Sequence, residues 1–462
     1  MTKHFKLTSC LLMSLCAVGC MEEVDNDRVA GMLSVGQSGL TTLEVYDLGK
    51  KQSLDITISK GGLVDNGGSV TFTVDTELLD SLNKATGASY KMLPADCYTL
   101  EQTNNVPVGG NTRVVVGKLT YDPHAIYTKS GSFDTQDYVL ALRATSTGTS
   151  MNSERATSIY GFIIKEAIVK NVTSGGYFVV EKKNDALIHS MNLDITTSFP
   201  NEWDLQITFA AKDEQYVEDY NTENGTEYKL LPTSSYTLPK VNLAKGANCG
   251  TAVLTVDGTE LAPGFYMLPI SLAGLNGQGD VNINIDSKTV THFTFFNPGI
   301  DRSDWTIEAN TEELTGESKP DLGMPDNGKV ISLLDGRNET FWHSAWSNGE
   351  VAPPYEIIVD MQKATAFKQI GFVAREGENS KNVMNIEVYA SDDKEVWTSV
   401  NEEDWGTPIC EIAEFNSANK DLQIFSLSDV CNNRYVRIYI PAPLVSGSVG
   451  YMAEMYLCNM DN

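Results

Sequence analysis

One stretch of the chain combines, at close spacing, residue types that could do chemistry. It runs from Ser332 to Trp346 and reads SLLDGRNETFWHSAW. The carboxylate of Asp335, next to Gly336, stands in a turn whose oxygen atoms could hold an ion. Two tryptophans follow the turn within the same stretch. Any functional site predicted from this sequence therefore centres on this stretch, and the rest of the chain must position it.

No recognised catalytic motif accompanies this stretch. The sequence lacks G-x-S-x-G and H-E-x-x-H, and it lacks the D-x-x-D-x-D-x-E pattern of chitinase-like glycosidases. The acidic run at 402–404 is typical of a solvated loop, whereas a glycosidase needs two carboxylates in a cleft. The histidines beyond the N-terminal apolar run are His124, His189, His292 and His343, in separate segments. We therefore predict no catalytic residues and no enzyme, and keep a glycosidase with an unfamiliar site as an alternative.

The composition limits the partners of the protein. The chain has 462 residues, of which 41% are hydrophobic, and this length suggests about three domains with buried cores. Its net charge is −27, from 61 acidic and 34 basic residues. Nucleic acid is excluded as a partner because phosphate binding needs a basic face, and binding to anionic lipid through a basic patch is disfavoured likewise. An uncharged or weakly charged ligand fits better.

The N-terminus is predicted to be a targeting segment. A basic start leads into an apolar run over 7–18, which is too short to span a bilayer. The run ends in Ala-Val-Gly before Cys20, which resembles a bacterial lipoprotein signal with Cys20 as the lipidated residue. The acidic residues that follow resemble the surface-export signal of gut Bacteroidota lipoproteins. We expect a signal peptide over 1–20, an acidic tether over 21–29 and an outer-membrane protein held at the cell surface through lipid only. The alternative is an ordinary secretory signal.

The remaining cysteines do not indicate a metal site. They are Cys97, Cys249, Cys410, Cys431 and Cys458. They are odd in number and scattered without a C-x-x-C motif, so neither a zinc site nor a dense disulfide framework is implied. Buried free thiols are predicted, with a single bridge among the last three as the alternative.

Two β-rich regions follow the tether, over 30–167 and 168–298. Polar and apolar residues alternate in the first, which favours antiparallel strands with one buried face. The alternating segments are 53–59, 70–74, 113–116 and 138–142. Turn residues separate them, as in an immunoglobulin-like sandwich.

The second region repeats the first. The segment NKATGASYKMLP at 83–94 matches NTENGTEYKLLP at 221–232, at an offset of 138 residues without a gap. Apolar residues at near-helical spacing precede each segment, and a glycine stands where a helix would end. Each copy is therefore predicted to contain one short helix, a Leu-Pro turn and a tyrosine-bearing strand, which makes the regions a duplicated sandwich.

This arrangement resembles a β-sandwich family of unknown function found in gut Bacteroidota surface lipoproteins. In those proteins it precedes glycan-degrading or glycan-binding modules. The resemblance places no site in the repeats, and we interpret their motif residues as core and turn residues. These are Tyr90, Leu93, Tyr228 and Leu231.

The region 299–462 carries five motifs in a set order. They are L-D-G-x-x-x-T-x-W, P-x-x-I-x-x-D, S-x-D-x-x-x-W, R-Y-V-R and a final A-E pair. Together they resemble the coagulation factor 5/8 type C (discoidin) fold, which implies an eight-stranded jelly-roll sandwich. Trp342 and Trp397 are then expected in its core.

The resemblance implies a structural Ca²⁺ between the Asp-Gly turn and the final Ala-Glu strand. A hard cation needs several oxygen ligands from a compact turn and a distant carboxylate. Asp335 and Thr340 would supply turn oxygens, Asn338 and Ala453 carbonyls, and Glu454 the carboxylate. The alternative is a hydrogen-bonded turn without metal.

The resemblance also implies a ligand site in the loops at one end of this domain. Carbohydrate-binding module family 32, the galactose-binding-like branch of the fold, uses a histidine, an arginine, an asparagine and an aromatic platform there. The matching residues are His343, Trp346, Arg375 and either Asn379 or Asn382. Planar donors and acceptors read sugar hydroxyls, and an aromatic face covers the C–H face of the ring. The alternative is that these side chains only pack or face solvent.

We therefore predict an all-β protein, with two tandem immunoglobulin-like β-sandwiches followed by a discoidin-type jelly-roll β-sandwich. Its predicted function is that of a non-catalytic cell-surface lipoprotein that captures oligosaccharide for partner glycosidases and an outer-membrane importer. The family context suggests host N-glycans. The alternative from another class is an adhesin that binds a protein partner, for which 443–445 is the candidate contact.

Overall fold

The computed structural model describes residues 29–62, 66–109, 114–182, 187–377, 384–441 and 449–460, apart from the side chains of Val115 and Glu414. The chain forms two compact units. One ends at Ile168 and also includes Gln278–Asn284, and the other consists of Val169–Gly277 and Ile285–Asn462. None of the described helices is long and apolar enough to cross a membrane.

The first unit is a β-sandwich. Its strands are β1 (Met32–Val35), β2 (Gly39–Asp47), β3 (Gln52–Gly61), β4 (Gly68–Val74), β5 (Lys91–Met92), β6 (Tyr98–Glu101), β7 (Val106–Pro107), β8 (Val114–Tyr121), β9 (Tyr138–Gly148), β10 (Ser150–Met151) and β11 (Thr157–Glu166). Its helices are α1 (Thr76–Thr86), α2 (Pro123–Ser130) and the 3₁₀ turns Ala95–Cys97 and Ser153–Arg155. One sheet has the order β10-β1-β3-β8-β6 and the other β2-β11-β9-β4-β7, with β5 beside β9. Ile56 and Ile58 of β3 are buried, because alternate side chains of a strand point to one face.

The second sandwich repeats this plan. Its strands are β12 (Ile168–Asn171), β13 (Gly176–Val179), β14 (Ile188–Thr197), β15 (Leu205–Ala211), β16 (Lys229–Leu230), β17 (Tyr236–Thr237), β18 (Lys240–Leu243), β19 (Cys249–Asp257), β20 (Gly264–Asn276), β21 (Asn284–Ile285) and β22 (Thr291–Asn297). Its helices are α3 (Glu214–Asn224) and the 3₁₀ turn Thr233–Ser235. The sheets are β17-β19-β14-β12-β21 and β13-β22-β20-β15-β18, with β16 beside β20.

The repeated motif has the same physical role in both copies. Helices α1 and α3 end at Gly87 and Gly225, whose φ angles of 70° and 67° are the left-handed conformation that favours glycine. Just before this cap, Asn83 donates to the carbonyl of Tyr90 and accepts from its N–H, both at 2.9 Å. Asn221 makes the same pair of bonds to Tyr228, at 2.8 and 2.9 Å. The predicted duplication is confirmed, and each copy contains the predicted helix and turn, but the first sandwich also contains α2.

The last domain is a third sandwich, built around one long strand pair. Its strands are β23 (Thr306–Ala309), β24 (Trp342–His343), β25 (Tyr355–Val373), β26 (Met384–Ser391), β27 (Cys410–Phe415), β28 (Gln423–Ile440), β29 (Tyr451–Met452) and β30 (Glu454–Cys458). Its 3₁₀ turns are Pro320–Leu322, Val330–Leu334, Lys394–Thr398 and Glu402–Trp405. The main sheet has the order β23-β25-β28-β26-β27, with β30 also paired to β25, and β24 pairs with β29 in a separate ladder.

The core of this domain contains both predicted tryptophans. Trp342 is fully buried and Trp397 is 5% exposed, so the prediction that they are core residues is confirmed. The second sandwich and the last domain also share apolar contacts within their common unit. The ring of Phe296 from β22 lies 5.3 Å from that of Tyr456 in β30, edge to face. This packing explains why the two domains form one compact unit.

Three local predictions need correction. The segments 355–360 and 367–373, predicted as separate strands, are parts of the single strand β25, whose pairing with β28 is irregular between them. Helix α2 was not predicted from the sequence, although Asp122 caps it and proline starts it. All five described cysteines are free thiols, as predicted, but Cys249 is exposed and Cys410 is half-buried rather than buried.

Candidate functional site

Two short strands bring the predicted ligand residues together. β24 and β29 pair antiparallel, with Trp342 opposite Met452 and His343 opposite Tyr451. The indole N–H of Trp342 donates to the carbonyl of Thr311 at 2.8 Å. This buried anchor fixes the next residue, His343, beside the ring of Tyr451, with 5.7 Å between ring centroids.

His343 is held in one tautomer. Its Nδ1 lies 2.6 Å from the carbonyl oxygen of Ser344. A carbonyl can only accept, so Nδ1 carries the proton and Nε2 is left as an acceptor. Burial lowers the pKa of His343, and the hydrogen bond to Ser344 opposes this without reversing it. At neutral pH the ring is therefore uncharged and able to accept a hydrogen bond from a ligand hydroxyl.

Trp346 presents the exposed aromatic surface of the site. Trp346 is 45% exposed. The centroid of its ring lies 6.4 Å from that of the His343 ring, and the two ring planes meet at 61°. An exposed tryptophan beside a buried imidazole is the pairing of apolar face and polar acceptor that a sugar ring can use.

The loop that carries Trp346 is tied to one buried carboxylate. Glu313, which is 1% exposed, accepts from the N–H groups of Trp346 and Ser347 at 2.9 and 2.8 Å and from that of Gly316 at 2.8 Å. Burial alone would raise the pKa of Glu313, but the hydrogen bonds from Ser347, Gly316 and Trp346 hold it well below its ordinary value. An ionised Glu313 therefore fixes the position of the tryptophan.

Arg375 reaches the same place from the end of β25. Its guanidinium carbon lies 3.7 Å from the ring centre of Phe341 and 5.4 Å from that of Tyr451. A terminal nitrogen lies 3.4 Å from Oε1 of Glu317. Tyr451 thus contacts both Arg375 and His343, so the predicted arginine and histidine converge on one side of the domain. Together with Trp346 they offer planar donors, an acceptor and an apolar face.

The Asp-Gly turn satisfies its own polar groups. Oδ1 of Asp335 accepts from the N–H of Arg337 at 2.9 Å, and Oδ2 accepts from the hydroxyl of Thr340 at 2.7 Å. The Thr340 hydroxyl also lies 3.0 Å from the carbonyl of Arg337. This is the closed turn that aspartate and threonine side chains form without help from an ion.

The distant carboxylate, Glu454, is bound to an arginine. Its Oε1 and Oε2 accept from the guanidinium of Arg302 at 2.9 and 3.3 Å, and the N–H of Gly336 donates to the same carboxylate. Glu181, from the second sandwich, accepts from the other side of that guanidinium at 2.6 and 3.1 Å. The side chains of Arg302, Glu181 and Glu454 are 2%, 3% and 0% exposed. We call these three residues the buried triad.

The buried triad does not fit a calcium site. Ca²⁺ takes about six to eight oxygen ligands, whereas both oxygens of Glu454 already accept from Arg302, whose positive charge would repel a divalent ion there. Asn338 lines a surface cleft. The described part of the chain contains no group of three or more His, Cys, Asp or Glu residues that could hold a metal. Calcium remains a prediction from the resemblance alone.

The repeated sandwiches match a known family. A family model described as a "-like, N-terminal domain" matches residues 30–151 and 161–279, which is more than half of the chain. The chain belongs to this N-terminal domain family. A model of the F5/8 type C domain matches residues 313–455. The predicted fold class is therefore confirmed, with the F5/8 type C domain as the last of three sandwiches.

Individual relatives cover only parts of the chain. A sialidase of Micromonospora viridifaciens is 25% identical over 132 residues, which are 28% of this chain and 18% of the sialidase. This chain thus spans less than one fifth of the length of that curated relative.

Solved structures also match parts of the chain. The C-terminal domain of a chitobiase from Bacteroides fragilis is 29% identical, with 34% of this chain and 95% of that chain covered and a TM-score of 0.28. A family 32 carbohydrate-binding module from C. perfringens, in complex with galactose, is 21% identical, covers 34% and 94%, and has a TM-score of 0.26. A two-domain protein of unknown function from Bacteroides fragilis is 12% identical, covers 63% and 94%, and has a TM-score of 0.27.

Several predicted residues lie outside the part of the F5/8 type C domain that the structure describes. Asn379 and Asn382, the predicted asparagines of the ligand site, are among them, as is 443–445, the predicted adhesive contact. Cys20, the predicted lipidation site, also lies outside the described residues. These remain predictions, whereas His343, Trp346 and Arg375 are brought together.

Sequence reasoning missed the residues that support the site of the F5/8 type C domain. Phe341 and Tyr451 flank Arg375, Glu317 pairs with it, and Glu313 holds the tryptophan loop. Tyr451 could have been predicted, because it stands just before the final Ala-Glu motif. A strand at that position would be expected to lie beside the Leu-Asp-Gly motif. Glu313 and Glu317 carry no such signal, because acidic residues in a loop are usually solvated.

Proposed function

We propose that the chain is a non-catalytic carbohydrate-binding protein of the cell surface, with its F5/8 type C domain as the binding head. The observation that carries this proposal is the convergence of His343, Trp346 and Arg375 at one end of that domain. The two N-terminal sandwiches would hold the head away from the membrane. In this role the protein captures oligosaccharide for partner glycosidases and an outer-membrane importer.

The three side chains have complementary roles toward an uncharged sugar. Trp346 offers an exposed face to the C–H groups of the ring. Neutral His343 accepts from one hydroxyl through Nε2, and the planar guanidinium of Arg375 donates to neighbouring oxygens. Packing and buried hydrogen bonds already hold these groups in place, so little conformational entropy is lost when a ligand binds.

The proposal includes the location of the protein. Cys20 would carry lipid after cleavage of the signal over 1–20, and the acidic residues behind it would direct the protein to the outside of the outer membrane. A single weak head is useful there, because many copies on one surface bind a polymeric glycan with higher avidity than one copy. Host N-glycans are the proposed ligands.

A glycan array with residues 21–462 tests the binding proposal. We expect binding to a defined set of uncharged glycans, and its loss in Trp346→Ala and His343→Ala. The matched control is Val400→Ala, because Val400 is 95% exposed in the same domain and should change nothing. The melting temperature of each variant separates lost contacts from lost folding, since His343 is buried.

Other outcomes would overturn the proposal. If no glycan binds and both variants match the wild type in every assay, the head-site proposal fails. Release of free sugar from an incubated glycan would instead establish a glycosidase. Radiolabelled lipid on the full-length protein, lost in Cys20→Ala, tests the anchor separately.

A further inference from the structure

A second cleft opens beside the candidate site, between the second sandwich and the F5/8 type C domain. Both belong to one compact unit. The cleft has a volume of about 630 Å³, within the roughly 300–1,000 Å³ of small-molecule sites. The second sandwich contributes Tyr177, Thr226, Glu227, Tyr228, Phe265 and Thr294. The F5/8 type C domain contributes Asn338, Glu376, Lys420, Asp421, Leu422 and Ile424.

Aromatic rings form one wall of the cleft. Tyr228 and Phe265 are half-buried, and their rings meet edge to face with 6.4 Å between centroids. Tyr220 of α3 lies next to Tyr228, with 6.3 Å between ring centroids, and the cleft residue Tyr177 is 41% exposed. Tyrosines of this kind combine an apolar face with a hydroxyl at its edge, which suits a sugar ring better than a purely apolar ligand.

The duplicated sequence provides an internal comparison. At the offset of 138 residues, the helix residue Tyr220 corresponds to Leu82, and the cleft residue Glu227 corresponds to Ser89. In the first sandwich Leu82 packs against an apolar cluster together with Tyr90, the counterpart of Tyr228. The second copy therefore carries aromatic and charged groups at positions where the first copy has an apolar or small residue. Tyr228 itself has a tyrosine counterpart, so the charge of Glu227 and the ring of Tyr220 are what distinguish the second copy.

The cleft lies next to the candidate site at one point of the backbone. Arg375 belongs to the candidate site by its side chain, and the next residue, Glu376, lines the cleft. The ammonium of Lys420, another cleft residue, donates to the carbonyl of Arg375 at 2.8 Å. A ligand longer than one sugar could therefore extend from the candidate site into the cleft.

The charges of the cleft select the class of ligand. Glu227, Glu376 and Asp421 are exposed carboxylates, whereas the ammonium of Lys420 is engaged with carbonyl groups. Excess negative charge repels uronic and sialic acids over about 8–10 Å at ordinary ionic strength. Uncharged oligosaccharides have no such penalty.

We propose that this cleft is an extended subsite for an uncharged oligosaccharide, whose terminal sugar is held by His343, Trp346 and Arg375. The inference rests on the proposed function, because it takes the candidate site as the position of that sugar. Tyr228 stacks against an inner sugar ring, and Glu227 accepts hydrogen bonds from its hydroxyl groups. The F5/8 type C domain and the second sandwich then bind one ligand together.

Titration calorimetry with residues 21–462 tests this inference, using a monosaccharide that binds and uncharged oligosaccharides that end in it. We expect the wild type to bind the longer ligands more tightly. Tyr228→Ala should weaken the longer ligands about three- to tenfold, as expected for one lost stacking contact, and leave the monosaccharide unchanged. The matched control is Tyr90→Ala in the first copy, which should change neither.

A second variant avoids any doubt about folding. Glu227 is exposed, so Glu227→Lys should keep the wild-type melting temperature while strengthening the binding of oligosaccharides with an inner uronic acid. This gain in affinity should disappear in about 1 M salt, where the electrostatic screening length is only about 3 Å. Equal monosaccharide and oligosaccharide affinities in the wild type, or unchanged oligosaccharide binding in both Tyr228→Ala and Glu227→Lys, would overturn the subsite. A wild type that binds no sugar would instead overturn the proposed function itself.

Discussion

Replacement of the buried cation Arg302 should lower the stability of the protein strongly. Its guanidinium is the cation between two buried carboxylates, Glu181 and Glu454, and it also donates to the carbonyl of Met455 at 2.8 Å. In Arg302→Met the carboxylates remain buried without a counter-charge. Breaking a buried ion pair in this way costs about 3–5 kcal/mol. At roughly 2–4 °C per kcal/mol for a unit of this size, the melting temperature should fall by roughly 6–20 °C.

The loss should depend on pH in a defined direction. Burial raises the pKa of Glu454 to about 7 even though Arg302 opposes it, and removal of Arg302 raises this pKa further. Between the unfolded pKa of about 4.3 and the raised folded pKa, the folded state binds more protons than the unfolded state, so stability falls as pH rises. Arg302→Met should therefore be destabilised more at about pH 8 than at about pH 5.

Differential scanning calorimetry of residues 21–462 checks both expectations. The matched control is Arg337→Met, because Arg337 is 41% exposed and its partner Glu339 is 62% exposed, and such a surface pair contributes about 0–1 kcal/mol. Replacing the buried triad together, as Arg302→Met with Glu181→Leu and Glu454→Met, should recover most of the loss, because no buried charge remains. Equal melting temperatures for Arg302→Met and the wild type would refute this account of the buried triad.

Four further predictions concern metal binding, ligand binding and the stability of the second sandwich. Because Arg302 neutralises Glu454, we expect that neither EDTA nor excess calcium changes the melting temperature of the wild type. A fall of several degrees with EDTA would instead support the calcium site predicted from the resemblance. Glu313→Gln should weaken sugar binding about tenfold and lower the melting temperature less, because an amide accepts fewer hydrogen bonds from the loop of Trp346 than a carboxylate. A variant with wild-type affinity would contradict the role of Glu313 in holding this loop. Burial lowers the pKa of His343. Affinity for an uncharged sugar, measured by calorimetry, should therefore be constant from about pH 8 to about pH 6.5 and fall below the lowered pKa, where Nε2 is protonated. Tighter binding in acid would exclude Nε2 of His343 as the acceptor. Asn221→Ala should lower the free energy of unfolding by about 1–3 kcal/mol in chemical denaturation, through the loss of its two bonds to Tyr228, and no change would contradict the role of the repeated asparagine.

The candidate site was predictable where neighbouring residues build it. His343 follows a core tryptophan by one residue and Trp346 by four, so a local motif that fixes Trp342 in the core also fixes their approximate positions. Arg375 was predicted from the family resemblance, which implies an arginine before the following loop, and the structure brings it to the same side. Its stacking on Phe341 and its pairing with Glu317 were not predictable, because these contacts depend on how separate loops meet.

The sequence alone determined the three-domain β architecture. Period-two alternation, the repeat at 138 residues and the order of five motifs are local patterns, and each reflects a strand, a cap or a turn that forms from residues near one another in the chain. Only the tertiary structure decided what neutralises Glu454 and what lies beside the candidate site. Arg302 is 152 residues from Glu454 and 121 from Glu181, and the cleft joins residues of two domains. Such contacts arise from the packing of one domain on another, which local residue types do not encode.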